Sequence, residues 1–110
     1  MISYIYLIES VLADNYTYKI GFTNRPVNNR LYEINTYNPG DNRILFEYET
    51  KHNRKIETYL HNYFKSKRIK REWFYLTKDD ISNFIPICNK LENQFDKLKE
   101  LNNYYIKQEN

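Results

Sequence analysis

The chain has 110 residues, enough for one hydrophobic core and not two. Hydrophobic residues make up 41% and aromatics 17%, which excludes a disordered chain because enough surface can be buried to offset the entropy of ordering. The net charge of +3 permits a nucleic-acid partner without requiring one, the single cysteine, Cys88, excludes an internal disulfide or a cysteine-rich zinc site, and no apolar run approaches a membrane span.

Ser3 to Glu9 is rich in β-branched and aromatic residues and is expected to be a strand. Ala13-Asp14-Asn15 supplies turn chemistry, and Tyr16 to Phe22 follows as a second strand, making a hairpin. Gly21 removes a side chain near the end of that strand, where a backbone or ligand needs close approach. Thr23-Asn24-Arg25-Pro26 marks a helix start, and Val27, Leu31 and Ile34 carry the helix to about Asn35. Asn38 to Asn42 is a loop. Ile44 to Thr50 alternates Ile44, Phe46 and Tyr48 against Leu45, Glu47 and Glu49, which suits a third strand.

His52 to Lys67 carries Ile56, Leu60, Tyr63 and Phe64 on one stripe and is expected to be helical throughout. Glu72 to Leu76 returns to extended chain. Thr77-Lys78-Asp79-Asp80 is an N-cap with acids in the first turn. The last helix carries Phe84, Cys88, Leu91, Phe95 and Leu98 at alternating four and three spacing, then Leu101 and Tyr105, and Pro86 should kink or restart it. That stripe either packs on its own domain or forms a dimer seam, and a monomer is expected. The organisation is a compact α/β domain over residues 1–76 with a C-terminal helical extension, 77–110, packed on it. No basic leader precedes an apolar stretch, so the expected location is intracellular.

Charge is unevenly spread. Residues 51–71 hold eight cations and one acid, Glu57, for a local charge of +7, whereas residues 79–110 hold four cations and six acids, for −2. A phosphate-facing surface belongs in the first block. Lys65, Lys67, Arg68, Lys70 and Arg71 run into Trp73, a combination that grips a nucleic-acid backbone while an aromatic meets a sugar or base. The same run also reads as a solvated helix end.

Six further positions have the chemistry of a hydrolytic site. Strand alternation puts Tyr4 and Tyr6 on one face, and phenols can orient a nucleophilic water beside a phosphate. Lys19 supplies positive charge, and would accept a proton only if its pKa were lowered. The Arg30 guanidinium can grip phosphate through two parallel hydrogen bonds, or else pair with Glu33 or Glu47. Glu57 and His61, four apart on one helix face, offer a carboxylate for Mg²⁺ and an imidazole beside it, or equally a solvated glutamate and a packed histidine.

Taken in order, Tyr4-Ile5-Tyr6, Tyr18-Lys19-Ile20-Gly21, Arg30-Leu31, Glu57 with Leu60-His61, and Glu72-Trp73-Phe74 resemble the GIY-YIG endonuclease superfamily. The similarity is to its variant branch of the phage T5 Orf172-like DNA-binding type, and it covers residues 3–76. It implies a small antiparallel β-sheet flanked by helices, an α+β fold, with DNA as partner. Tyr6 then occupies the first signature's tyrosine, Arg30 the arginine, and Glu57 the ligand of Mg²⁺ or Mn²⁺, while His61 orients Glu57 or meets the leaving group. Tyr4 replaces a glycine of the pattern, Lys19 replaces the second signature's tyrosine, and Glu72 lies near an expected asparagine. Tyr18 points to the opposite strand face and does not substitute. The resemblance leaves open a metal-dependent endonuclease and a non-catalytic DNA-binding module, with a helix-mediated protein-interaction scaffold as a third reading.

Overall fold

The computed structural model of the chain describes residues 2–109, and their side chains through residue 103. It is an α+β fold built on a five-stranded antiparallel sheet of order β3-β1-β2-β5-β4. Strands β1 (Ser3–Leu12) and β2 (Asn15–Thr23) form the central hairpin. Its turn residues, Ala13 and Asp14, both adopt positive φ, the backbone twist that two-residue hairpins need. The short polar side chain of Asp14 tolerates this conformation well.

Strand alternation assigns the two faces. Ile5, Leu7, Tyr18 and Ile20 point to one side, where they join Ile56, Leu60 and Phe64 of α2 (Asn53–Tyr63 and its C-cap). Phe84, Cys88 and Leu91 of α4 (Phe84–Glu109) complete that cluster, so the C-terminal extension contributes to the main core. Tyr6 and Ile8 point to the other side and pack on Val27 and Ile34 of α1 (Val27–Tyr37). The buried Glu9 carboxylate faces the first side, where it accepts from the Tyr18 hydroxyl at 3.3 Å and from Arg43 Nε at 2.8 Å. Tyr18 is therefore engaged across the sheet from Tyr6, as its position in the alternation requires.

Several boundaries differ from the sequence reading. Helix α1 runs to Tyr37, about half a turn further than expected, and β3 (Asp41–Thr50) begins earlier than Ile44. The helix expected over residues 52–67 stops at Tyr63. Lys65–Lys67 tightens into a 3₁₀ turn, and Arg68–Lys70 becomes β4, an edge strand. Arg71 turns the chain with φ 54°, and only Trp73–Phe74 of the expected extended stretch pairs, as β5.

Thr77 caps α3 (Lys78–Ser82) in a capping box with Asp80, whose carboxylate also pairs with Lys67. The helix break falls at Asn83, and Pro86 lies in the first turn of α4, where a missing N–H is tolerated. The apolar stripe of α4 divides. Phe84, Cys88 and Leu91 are buried and Phe95 half-buried, whereas Leu98 and Leu101 are exposed. Tyr105 lies outside the residues whose side chains are described. A clamp at the start of α2 fixes α4: His52 Nε2 meets Asp96 Oδ1 at 2.7 Å and Glu92 Oε2 at 3.9 Å, and Thr50 donates to Glu92. Among the described residues no helix is long and apolar enough to cross a membrane.

Candidate active site and nucleic-acid interface

Tyr6 is the centre of the candidate site. It lies opposite Gly21 in the β1–β2 ladder, and its phenol fills the space that a Cβ at Gly21 would need. Gly21 thus lets an aromatic ring lie flat across the neighbouring strand, a close approach that no other residue allows. Tyr6 is 2% exposed. Burial, and then the charge of Glu72, push its phenol well above the ordinary range, with Arg30 opposing and Glu57 and Tyr37 adding to the rise. The phenol is therefore a neutral hydrogen-bond donor.

Those influences also locate the neighbours. Of the residues proposed from sequence, Arg30 and Glu57 both act on Tyr6. Lys19, one strand over and on the same sheet face, pairs with Glu72 at 3.2 Å and lies 5.7 Å from the centre of the Trp73 ring. Arg30 donates from Nη1 to Glu33 at 3.1 Å, while its Nε is buried and has no hydrogen-bond partner among the described residues. The Arg30 side chain as a whole is 39% exposed, so the terminal nitrogens of its fork can meet a phosphate oxygen.

Glu57 and His61 are positioned by a local shortage of strand. Because β5 is two residues long, the edge of β2 beyond Lys19 has no full strand beside it. Ile20 N–H donates to the Glu72 carbonyl at 3.1 Å, and helix α2 supplies the other partners. The His61 Nε2–H donates to the Ile20 carbonyl at 2.8 Å, and the Glu57 carboxylate accepts from the Phe22 N–H. The four-residue spacing of Glu57 and His61 matches the two-residue step along β2, so one helix face clips one strand edge. His61 also packs against Phe74 at 5.3 Å between ring centroids. It thereby positions α2, and with it Glu57.

Burial first, and then Glu72, push the Glu57 carboxyl up to about 7, against the Phe22 hydrogen bond and the charges of Lys19 and Arg54. A half-buried carboxyl that feels the charge of a second acid offers the oxygen-ligand chemistry that Mg²⁺ and Mn²⁺ take.

The basic run lies at the adjoining sheet edge. Lys65, Arg68, Lys70 and Arg71 are exposed on and around β4. The Arg68 guanidinium lies 5.4 Å from the Phe74 ring centre. Lys67 differs from the others, because it is already paired with Asp80 and lies over Phe64. Trp73 is half-buried against the Tyr6 cluster, which makes it part of the site wall. Two residues absent from the sequence-derived site, Glu72 and Tyr37, act on Tyr6. Glu72 stood out in the Glu-Trp-Phe motif, but its partner Lys19 is 53 positions away. Nothing in the sequence marked Tyr37, which closes the last turn of α1.

The T5orf172 domain family matches residues 3–89. No curated protein and no solved structure matches the chain.

Proposed function

Because the chain belongs to the T5orf172 domain family, which suggests a DNA-binding, nuclease-related module, we propose that it binds DNA across the Tyr6 face and hydrolyses a phosphodiester there. The observation that carries this reading is the charged neighbourhood of Tyr6: Arg30 and Glu57 both act on its phenol, Glu57 from α2 at the open edge of β2, and Lys19 shares its sheet face, beside an exposed basic edge. The ordered motifs support placing the domain within the GIY-YIG superfamily, as a variant with lysine and glutamate at two signature positions.

In this reading Glu57 holds Mg²⁺ or Mn²⁺, which when bound supplies Lewis-acid stabilisation of the phosphodiester oxygens. Arg30 presents its part-exposed guanidinium to a phosphate oxygen and opposes the charge that builds there. Tyr6, held neutral, donates a hydrogen bond that positions the attacking water or the phosphate, and does not serve as the base. His61 holds α2 on β2 so that Glu57 stays in place. Lys65, Arg68, Lys70 and Arg71 carry the DNA backbone, and Trp73 backs Lys19. The protein acts as a monomer inside the cell.

The competing reading, DNA retention without turnover, draws on one observation: Lys19 is neutralised by Glu72 in the free protein. Gel retardation of a labelled duplex separates DNA binding from every non-DNA role. Neutralising Arg68, Lys70 and Arg71 together should weaken binding and flatten its salt dependence by about 0.9 in slope per lost phosphate contact. Unchanged retention in that variant would remove the basic edge from the interface.

A further inference from the structure

Glu72 stands at the charge centre of the Tyr6 face without a part in the hydrolytic roles above. Its carboxylate holds the Lys19 ammonium at 3.2 Å, and its charge acts on both Tyr6 and Glu57. Its backbone carbonyl accepts from Ile20 N–H, which fixes the residue at the open edge of β2 beside α2. The Lys19 side chain is only 16% exposed and is wedged between Glu72 and Trp73. A phosphate arriving at this face meets a lysine already neutralised by Glu72, with the Glu57 carboxyl beside the pair and no net positive charge to hold the phosphate.

We propose that Glu72 is a charge gate: it holds Lys19 in the free protein, turns to a divalent cation shared with Glu57 when one binds, and so releases Lys19 to the incoming phosphate. The inference rests on the DNA-binding reading and deepens it, because cation and DNA then bind cooperatively. Each ligand favours the same rearranged charge pattern, and the coupling is reciprocal. Three features support it. The Glu72 side chain is 39% exposed and Lys19 is its one ion-pair partner among the described residues, whereas its backbone is fixed by Ile20. Glu57 has acceptor capacity left after the single Phe22 hydrogen bond. Oxygen ligands from two carboxylates are what Mg²⁺ and Mn²⁺ take. Glu72 acts through Lys19 and is a positioning residue.

The test reads DNA retention over a salt series, with and without Ca²⁺ as an oxygen-liganded probe that reports binding apart from turnover. Divalent ions otherwise compete for DNA and weaken binding, so a Ca²⁺-dependent rise in wild-type affinity is diagnostic. Glu72→Gln should raise cation-free affinity about tenfold and steepen its salt slope by about 0.9, the signature of one added phosphate contact. The Ca²⁺ enhancement should shrink in the same variant. Adding Lys19→Gln to Glu72→Gln should abolish the extra slope, and Lys19→Gln alone should lose the enhancement while keeping Glu72. An unchanged slope in Glu72→Gln, or a full Ca²⁺ enhancement in Lys19→Gln, would overturn the gate while leaving DNA binding intact. A wild-type protein that retains no DNA under any condition would remove the DNA reading itself, and the gate with it.

Discussion

The Tyr6 ring crosses the β1–β2 ladder through the space that Gly21 leaves open. Any side chain at position 21 drives the phenol off the site. Gly21→Ala should therefore destabilise the fold by about 1–3 kcal/mol, the usual range for overpacking a buried site. Urea unfolding of Gly21→Ala, Tyr6→Ala and the double variant measures the coupling. Most of the glycine penalty should vanish when the ring is already gone. Additive effects would mean that the two residues are not in contact.

Arg30 and Arg25 both pair with Glu33, but only Arg30 also acts on Tyr6. Arg30→Ala and Arg30→Lys should both lower cleavage by about 10²-fold or more, since an ammonium does not reproduce a planar fork. Arg25→Ala should leave cleavage nearly unchanged, because its contacts are exposed surface pairs. Equal losses in the two alanine variants would show that Arg30 has no special place.

Glu57 gives the protein a pH signature. Its carboxyl is raised from an ordinary 4.5 to about 7, so between those values the folded state binds more protons than the unfolded chain. Stability then falls as pH rises through this window in the absence of divalent cations. Glu57→Gln removes the effect and still accepts from Phe22. It should be more stable than wild type at pH 8 by roughly 1–2 kcal/mol, after discounting for partial exposure, and no more stable at pH 4. Mg²⁺ or Mn²⁺ should raise the wild-type melting temperature at pH 8 and leave Glu57→Gln unmoved. Thermal unfolding at the two pH values, with and without the cation, checks both statements.

Asp80 has the opposite sign. Burial raises its carboxyl, but the hydrogen bonds from Lys67 and Thr77 outweigh it and hold the net value below the usual range. Its stabilising contribution is present above the ordinary aspartate range and fades as pH falls through the depressed value. Asp80→Ala removes half the capping box and the Lys67 pair, and should destabilise the protein by about 1–2 kcal/mol at neutral pH. The released Lys67 joins the basic edge, so DNA affinity should hold or rise in gel retardation even as the melting temperature falls.

The alternation of β1 and β2 was readable from sequence because a period of two assigns each side chain to a face. Alternation set Tyr6 apart from Ile5 and Leu7, and Lys19 apart from Tyr18, but only the register, which sets Tyr6 opposite Gly21, brings Tyr6 and Lys19 to one face. Glu57 and His61 were visible as a pair four apart on a helix. Their joint partner was not, because the open edge of β2 exists only through the shortness of β5. Strand β4 was hidden as well. Lys65 to Arg71 has almost no apolar residue to set a period, and Arg71 takes a positive φ that its side chain does not advertise. The Lys19–Glu72 pair joins residues far apart in the chain, and its charge balance follows from tertiary packing alone. The division of the α4 stripe after Phe95 has the same cause, since the spacing continues where the domain beneath it ends.

Cleavage of supercoiled plasmid and branched DNA with Mg²⁺ or Mn²⁺, comparing wild type with Glu57→Ala, tests the central claim most directly. The expected result is metal-dependent nicking by the wild type, lost in Glu57→Ala while cation-free DNA retention stays close to normal. Nicking that survives in Glu57→Ala would contradict the site, and DNA retained by both proteins with no cutting by either would leave the fold as a binding module without the chemistry.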